Sequence, residues 1–424
     1  MLNSWYSPPN LNKEKYMKPN RSHGETSLTT AFFCAAVYFC SYLTRKDFAI
    51  ALVAITEATG FSDASIAAVP VCLFIAYGLG QTVNGAIGDR VPPQHLITAG
   101  MLISAVCNIM LPFCPSVPAM CVVWGMNGFA QAMLWPPMSK ILICTYSGRQ
   151  YGTASMIVSV AASLATTAGY LYIPAILAVS QWKAVFEFGA GIVLVCAAAW
   201  FVYSFRKDFV SGASADIPPA GDNIGSRRFP SGAVFALAIV LIDVVIVGML
   251  RDGIETWTPT YIRDCFSLTA EMSILVSVLL ALFSAVCIVA TTYIYRRFFK
   301  NELSFCCAVF ALAGAVAVVL YFAGGNIVLS TVCISLLAAL MHGPNLALTA
   351  YAPHTMKRFG HISTVSGVIN SAIYVGAAIS TYAIAGIKES SGWSSTIFFW
   401  ISLCICGALL SAICARLWKR NVMR

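Results

Sequence analysis

Tyr38-Phe39-Cys40-Ser41-Tyr42-Leu43-Thr44-Arg45-Lys46-Asp47-Phe48 sits inside an apolar run, 27–55, and three consecutive charges interrupt a segment that is otherwise hydrocarbon-compatible. A second run, 232–258, carries Arg251-Asp252-Gly253-Ile254-Glu255 at nearly the same depth: Arg45 lies about 18 residues into the first run and Arg251 about 19 into the second. Both runs exceed the roughly 20 apolar residues that cross a bilayer. The correspondence continues, since Phe61-Ser62 follows Arg45 by 16 residues and Phe266-Ser267 follows Arg251 by 15, each pair opening the next run. An arginine at the bilayer centre costs about 2.5–3.5 kcal/mol on insertion scales, so each should face a partner or a wet cavity.

Around these two runs the chain keeps the same character. Of 424 residues 59% are hydrophobic and only 10% charged, with a mean hydropathy of +0.78. Soluble domains carry about 25% charged residues, so the solvent for most of this surface is lipid. Twelve apolar runs are legible: 27–55, 64–88, 94–113, 118–141, 150–178, 184–204, 232–258, 268–294, 302–322, 326–350, 360–386 and 393–416. Short linkers hold the turn formers, such as Asp89-Arg90-Val91-Pro92-Pro93 and Gly324-Gly325, and the one long polar stretch, 205–231, follows the sixth run. The expected organisation is a tail, 1–26; a six-helix bundle, 27–204; a linker, 205–231; a second six-helix bundle, 232–416; and a tail, 417–424. The fold class is an all-α membrane protein with twelve transmembrane helices in two pseudo-symmetric bundles. The 16 cysteines are scattered through apolar runs with no zinc spacing, so they read as small hydrophobes, and no metal or cofactor is expected.

Basic residues orient the chain. With a cytoplasmic N-terminus, twenty of the 26 Lys and Arg fall on that side and three, Lys183, Arg263 and Lys388, on the other; Arg45, Lys46 and Arg251 lie within spans. That asymmetry is a positive-inside signal, and it accounts for the net charge of +9 without a nucleic-acid partner. The expected location is the cell (inner) membrane with both termini cytoplasmic, the working unit a monomer.

At 100° per residue Tyr38, Tyr42 and Arg45 share a stripe of span 1, Lys46 flanks it, and Asp47 points nearly opposite. Arg251, Glu255 and Thr258 share the same spacing in span 7. One guanidinium from each half, with tyrosine hydroxyls alongside, suits a phosphate or carboxylate. The plainer reading of Arg251 is an i, i+4 ion pair with Glu255 helped by Asp252, and of Arg45 a salt bridge to another helix. Pro259 deprives the Glu255 carbonyl of its helical partner, which predicts a kink in span 7. Tyr77, Gln81, Asn84 and Gly88 line one face of span 2; Ser155, Ser159, Ser163 and Thr166 line span 5; span 11 shows Ser363, Ser366, Asn370 and Tyr374, the last two one turn apart. Such stripes serve helix packing as readily as a cavity. His342 reads as a core histidine.

At these residues the chain resembles the major facilitator superfamily, and within it the organophosphate:phosphate antiporters. The superfamily's loop after helix 2 is similar to Gly85-Ala86-Ile87-Gly88-Asp89-Arg90. The branch is carried by Tyr42 to Phe48, by Asn127-Gly128-Phe129-Ala130-Gln131 with Trp135-Pro136-Pro137, and by Arg251-Asp252-Gly253-Ile254 with Trp257-Thr258-Pro259-Thr260-Tyr261. The resemblance implies the major facilitator fold, and Arg45 and Arg251 gripping a phosphoryl group with Tyr38, Tyr42 and Lys46 around it. The expected substrate site also takes in Tyr77, Gln81, Asn370 and Tyr374 from the polar stripes and Gln131 from the motif of span 4, and Glu255, Asp252, Asp89 and Arg90 are expected to serve coupling or gating. This sequence departs from the branch at Ala161 and Gln81, where the branch has a histidine and a lysine, at Asp47 for asparagine, and at Glu255 where it is apolar.

The function expected is exchange of a small phosphorylated organic anion for inorganic phosphate. Proton-coupled symport of an organic anion such as a sugar acid, with Glu255, Asp252 or Asp243 taking the proton, is the runner-up. A non-transporting sensor is the third reading. An enzyme is not expected, since no nucleophile–base pair or phosphate-cradling glycine loop is present.

Overall fold

A computed structural model describes residues 24–88, 91–146, 149–206, 231–355 and 362–422. The first half comprises α1 (Gly24–Thr59), α2 (Ala68–Gly88, led in by Asp63–Ile66), α3 (Pro93–Met110), α4 (Val117–Gln131, resuming as Trp135–Thr145), α5 (Arg149–Leu177) and α6 (Lys183–Ser204). The second comprises α7 (Ser231–Gly248, a π turn at Met249–Gly253, then Ile254–Phe266), α8 (Ala270–Val276 and Val278–Phe298) and α9 (Glu302–Phe322). It continues with α10 (Ile327–Leu340, ending through His342–Leu346, a π turn at Ala347–Tyr351, and Ala352–Thr355). The last segment, Ile362–Asn421, holds α11 and α12, divided at Gly392, whose φ of 77° only glycine adopts without strain.

Ten stretches of the described residues are long and apolar enough to cross a membrane. α1 is not among them because Arg45, Lys46 and Asp47 break its apolar run, and the tenth, Gly367–Arg420, contains both α11 and α12. The fold therefore has the expected twelve spans. The last helix runs past 416, where the tail was expected to begin, because Trp418 is fully buried and its Nε1 donates to Glu302 at 3.0 Å. Most of the linker, 207–230, and both residues of the α2–α3 loop expected to serve gating, Asp89 and Arg90, lie outside the described residues.

Local sequence explains the breaks. Pro136 and Pro137 cannot donate to the carbonyls of Ala132 and Met133, so α4 lapses into a turn and restarts at Trp135. Asn301 and Asn326 cap α9 and α10, their side-chain oxygens accepting from Leu303 at 2.9 Å and Leu329 at 3.0 Å. In a bilayer protein the apolar residues point both ways: Trp124, Trp257 and Trp400 fill the interior, while Leu79, Val195, Val289 and Phe322 face outward.

Helices in lipid gain little from hydrophobic burial and rely on close packing at small residues. α7 and α11 meet backbone to backbone: a Cβ on Gly248 would overlap the Ile373 carbonyl, and one on Gly376 would overlap the Val245 carbonyl. This reciprocal contact sets Tyr374 of α11 beside the π turn that carries Arg251. Between the halves, α1 packs on α7, α2 on α11, and α5 on α8.

A set of ion pairs joins the halves on the face that carries the α1–α2, α7–α8 and α11–α12 connections. Arg263 donates to Glu57 at 3.2 Å and to Asp264 at 2.7 Å; Lys388 pairs with Asp63 and lies 3.0 Å from Asp264; and Glu389 accepts the Ala64 backbone N–H at 2.8 Å. Two of the three basic residues that sequence placed on this face, Arg263 and Lys388, are thus engaged in these ion pairs.

Candidate functional site

The stripe on α1 becomes the wall of a buried cluster. Tyr38 and Tyr42 have ring centroids 5.0 Å apart, and Tyr38 also leans on Trp135 at 5.2 Å. One turn further, the Arg45 guanidinium lies over the Tyr77 ring with its carbon 3.8 Å from the centroid; Tyr42 and Tyr374 stand at 5.2 and 5.4 Å. Arg45 also donates to the Tyr374 hydroxyl across the halves at 3.1 Å. The faces of three tyrosines attract a cation by their quadrupoles, each by about 0.5–2 kcal/mol. They do not cancel its charge. Arg45 is only 7% exposed, forms no ion pair with a carboxylate among the described residues, and keeps Nε without a hydrogen-bond partner.

The other two cations are paired. Lys46 meets Glu255 of the opposite half at 2.9 Å and Asp252 at 3.7 Å, while Arg251 donates to its sequence neighbour Asp252 at 2.6 Å. The pairing differs from the i, i+4 bridge expected between Arg251 and Glu255. That expectation assumed unbroken α-geometry, and the π turn over Met249–Gly253 changes the register between Arg251 and Glu255. Glu255 is instead presented to α1. The kink expected at Pro259 is preceded by this wider distortion about two to three turns earlier, within a helix that carries Pro259 in its interior.

Arg251 and Arg45 belong to one cluster: Asp252 is within electrostatic reach of both, and so is Tyr374. The cluster holds three cations and two carboxylates, and the surplus positive charge sits on Arg45. Close by, Gln81, one turn from Tyr77 on α2, leaves its buried Nε2 without an acceptor. Asn370 is half-buried, one turn before Tyr374.

Gln131 lies elsewhere. Its Nε2 donates to Thr44 at 3.2 Å and Ser104 at 2.9 Å, inside the first bundle. Asn127 joins the same network, donating to the Thr44 carbonyl at 3.0 Å and accepting from Ser104 at 2.7 Å. The reason is rotational: Thr44 faces away from the stripe of Tyr42 and Arg45, and the α4 amides follow it inward. Thr166 on α5 likewise returns its hydroxyl to its own helix, at Ala162, 3.2 Å away. The side chains of Asp89 and Arg90 are outside the described residues.

Two residues enter the site that the sequence did not assign to it: His342, read as a core histidine, and Tyr170. His342 is half-buried and near enough to Arg251, Asp252 and Lys46 to feel their charge, and buried Tyr170 of α5 stands similarly to Glu255. Neither has a one-dimensional signal, because only the packing of α5 against α1 and of α10 against α7 brings them in.

The sequence pattern described as "Major Facilitator Superfamily" matches residues 34–381. The glycerol-3-phosphate transporter of Bacillus subtilis (strain 168) is 24% identical over 99% of both chains. A probable hexose phosphate transport protein of Chlamydia muridarum is 29% identical over 36% of this chain and 34% of its own. Among solved structures, a bacterial homolog of the human lysosomal transporter Spinster, in an inward-facing and occupied conformation, superposes with a TM-score of 0.75 at 12% identity. It covers 96% of this chain and 99% of its own.

Proposed function

The chain belongs to the major facilitator superfamily, a family of membrane transporters rather than enzymes, and from that premise we propose that it carries a small phosphorylated organic anion, a sugar phosphate or glycerol phosphate, in exchange for inorganic phosphate. Relatives named as glycerol-3-phosphate and hexose phosphate transporters support the substrate class. The observation that carries the reading is Arg45: a buried guanidinium with an unused donor, no carboxylate partner among the described residues and three tyrosines around it. An isolated buried charge is costly, and an anion that neutralises it recovers that cost.

In the proposed cycle the phosphoryl group docks on Arg45, with Gln81 Nε2 and the tyrosine hydroxyls as further donors. It then competes with Asp252 for Arg251 and with Glu255 for Lys46. The carboxylates keep these cations neutral in the empty site, so the lobes are not driven apart by bare repulsion between arginines. Exchanging Glu255 for a ligand oxygen loosens the Lys46–Glu255 tie between the lobes and replaces it with a bridge through substrate. A ligand shifts such an equilibrium only by its differential affinity for the two states, and this swap of partners is where the difference arises. Glu255 and Asp252 are both engaged by cations, which favours exchange over a cycle in which either one takes up a proton.

The location that goes with this reading is the cell membrane, with both termini cytoplasmic and the Asp63–Lys388 face outward and closed. A single chain is the transporting unit. Proteoliposomes loaded with phosphate should take up labelled glycerol phosphate or sugar phosphate, and unloaded ones should not. Uptake that ignores internal phosphate and collapses with a protonophore would replace exchange by symport.

A further inference from the structure

Behind the ionic cluster, on the side of α1 turned into the first bundle, Asp47 is fully buried. Its Oδ1 accepts the Phe48 backbone N–H at 2.7 Å, and its Oδ2 has no hydrogen-bond partner. Asn108 of α3, also fully buried, has an unpartnered Oδ1. Both oxygens converge on Gly189 of α6: a Cβ there would lie 3.5 Å from Asp47 Oδ2 and 4.0 Å from Asn108 Oδ1. Turning the Asn108 amide over would not supply a donor freely, because its Nδ2 already serves the Ser104 carbonyl at 2.9 Å. Two acceptors therefore face one buried spot, and both lack a donor.

The groups facing this spot come from four other helices. α3 contributes Ser104 and Asn108, and α4 contributes Asn127, whose amide is spent on Thr44 and Ser104. α5 contributes Tyr172, within electrostatic reach of Asp47 and with its own hydroxyl unpartnered. α6 contributes Gly189, and its charged residues Lys183 and Glu187 are exposed instead. Arg45, on the opposite side of α1, donates to Tyr374, and Lys46 pairs with Glu255. Among the described residues no cation pairs with Asp47.

We propose that Asp47 is a proton-binding site of this carrier, occupied in this conformation, with the O–H on Oδ2 donated to Asn108 Oδ1. The step is protonation of a carboxylate by a proton from the aqueous phase; no other bond forms or breaks. One proton supplies the donor both oxygens lack and removes a charge from an apolar interior, where an unpaired one is heavily penalised. Asp47 follows Lys46 directly in the chain. A shift of α1 against α3 and α6 that separates Asp47 from Asn108 changes the affinity for the proton, so pH biases the carrier's two states by linkage. Only this last consequence rests on the transport reading.

The test is infrared difference spectroscopy on the purified full chain in lipid nanodiscs at neutral pH, wild type against Asp47→Asn. The expected result is the carbonyl stretch of a protonated carboxylic acid, sensitive to heavy water, present in wild type and absent in the variant. Asp243→Asn, which removes a second buried acid with an unpartnered oxygen, should leave that band in place. Should Asp47→Asn fail to fold, Asn108→Leu serves: it should move the band to the higher frequency of an acid without an acceptor. Carboxylate stretches in place of the carbonyl band would overturn the proposal. So would a signal that answers to sodium and not to pH, which would assign the spot to a metal cation. Phosphate exchange in the same membranes is read separately. Its absence with the band present would sink the transport reading and leave the proton site standing.

Discussion

Replacing Arg45 by lysine keeps the charge and removes the planar fork, which makes it the sharpest probe of the anion site. In the structure the guanidinium lies 3.8 Å from the Tyr77 centroid, donates to Tyr374 at 3.1 Å, and keeps Nε free. A lysine ammonium can restore one of these contacts but not stack flat on Tyr77 while presenting two parallel donors to a phosphoryl group. Losing one hydrogen bond to a charged group is worth about 1.5–3 kcal/mol, or about ten- to hundred-fold in affinity at 1.4 kcal/mol per decade. Arg251→Lys should behave differently. Arg251 is already held by Asp252 at 2.6 Å, so part of what a ligand gains there is returned on breaking that pair. Its affinity loss should be smaller, about 1 kcal/mol on the scale of a net hydrogen bond, with the larger defect in exchange rate. The assay is stabilisation of the purified protein by inorganic phosphate, read as a shift in melting temperature across concentrations and converted through linkage, alongside exchange in proteoliposomes. An Arg45→Lys protein that melts normally and binds phosphate as tightly as wild type would refute the placement of the anion on Arg45.

Other expectations follow from neighbouring contacts. Glu255→Gln and Lys46→Gln each strand a partly buried charge and should lower melting temperature, while the double variant recovers part of the loss; a coupling energy of about 1–3 kcal/mol in that cycle is expected, and strict additivity would mean the 2.9 Å bridge is not formed in the membrane. Asp63→Asn removes the acid that pairs with Lys388 across the halves and should increase labelling of an introduced cysteine near Ala64 by about tenfold, the effect of about 1.4 kcal/mol on the opening equilibrium; unchanged labelling would show that the latch does not hold the face closed. Gly248→Ala drives a methyl into the Ile373 carbonyl and should cost about 1–3 kcal/mol of stability, whereas Gly191→Ala, which meets open space, should be silent in the same melt.

Span number, the division into two lobes and the matched positions of Arg45 and Arg251 in spans 1 and 7 could be read in one dimension. Each depends on quantities that run along a single helix: the apolar length needed to cross a bilayer, the spacing of breakers, and the intrinsic cost of a charge in hydrocarbon. The stripe of Tyr38, Tyr42 and Arg45 was legible for the same reason, because α1 stays helical through it. The partners of those charges were not. Lys46 meets Glu255 rather than leaving it to Arg251 because a π turn in α7 breaks the period on which the i, i+4 expectation was built, and because α1 crosses α7 at that level. Gln131 turns into the first bundle because Thr44 and Ser104 offer acceptors there. The ion pairs on the α1–α2, α7–α8 and α11–α12 face join residues up to 325 positions apart. Who neutralises whom is decided by how neighbouring helices rotate and how closely glycines let them approach, and no single helix carries that information.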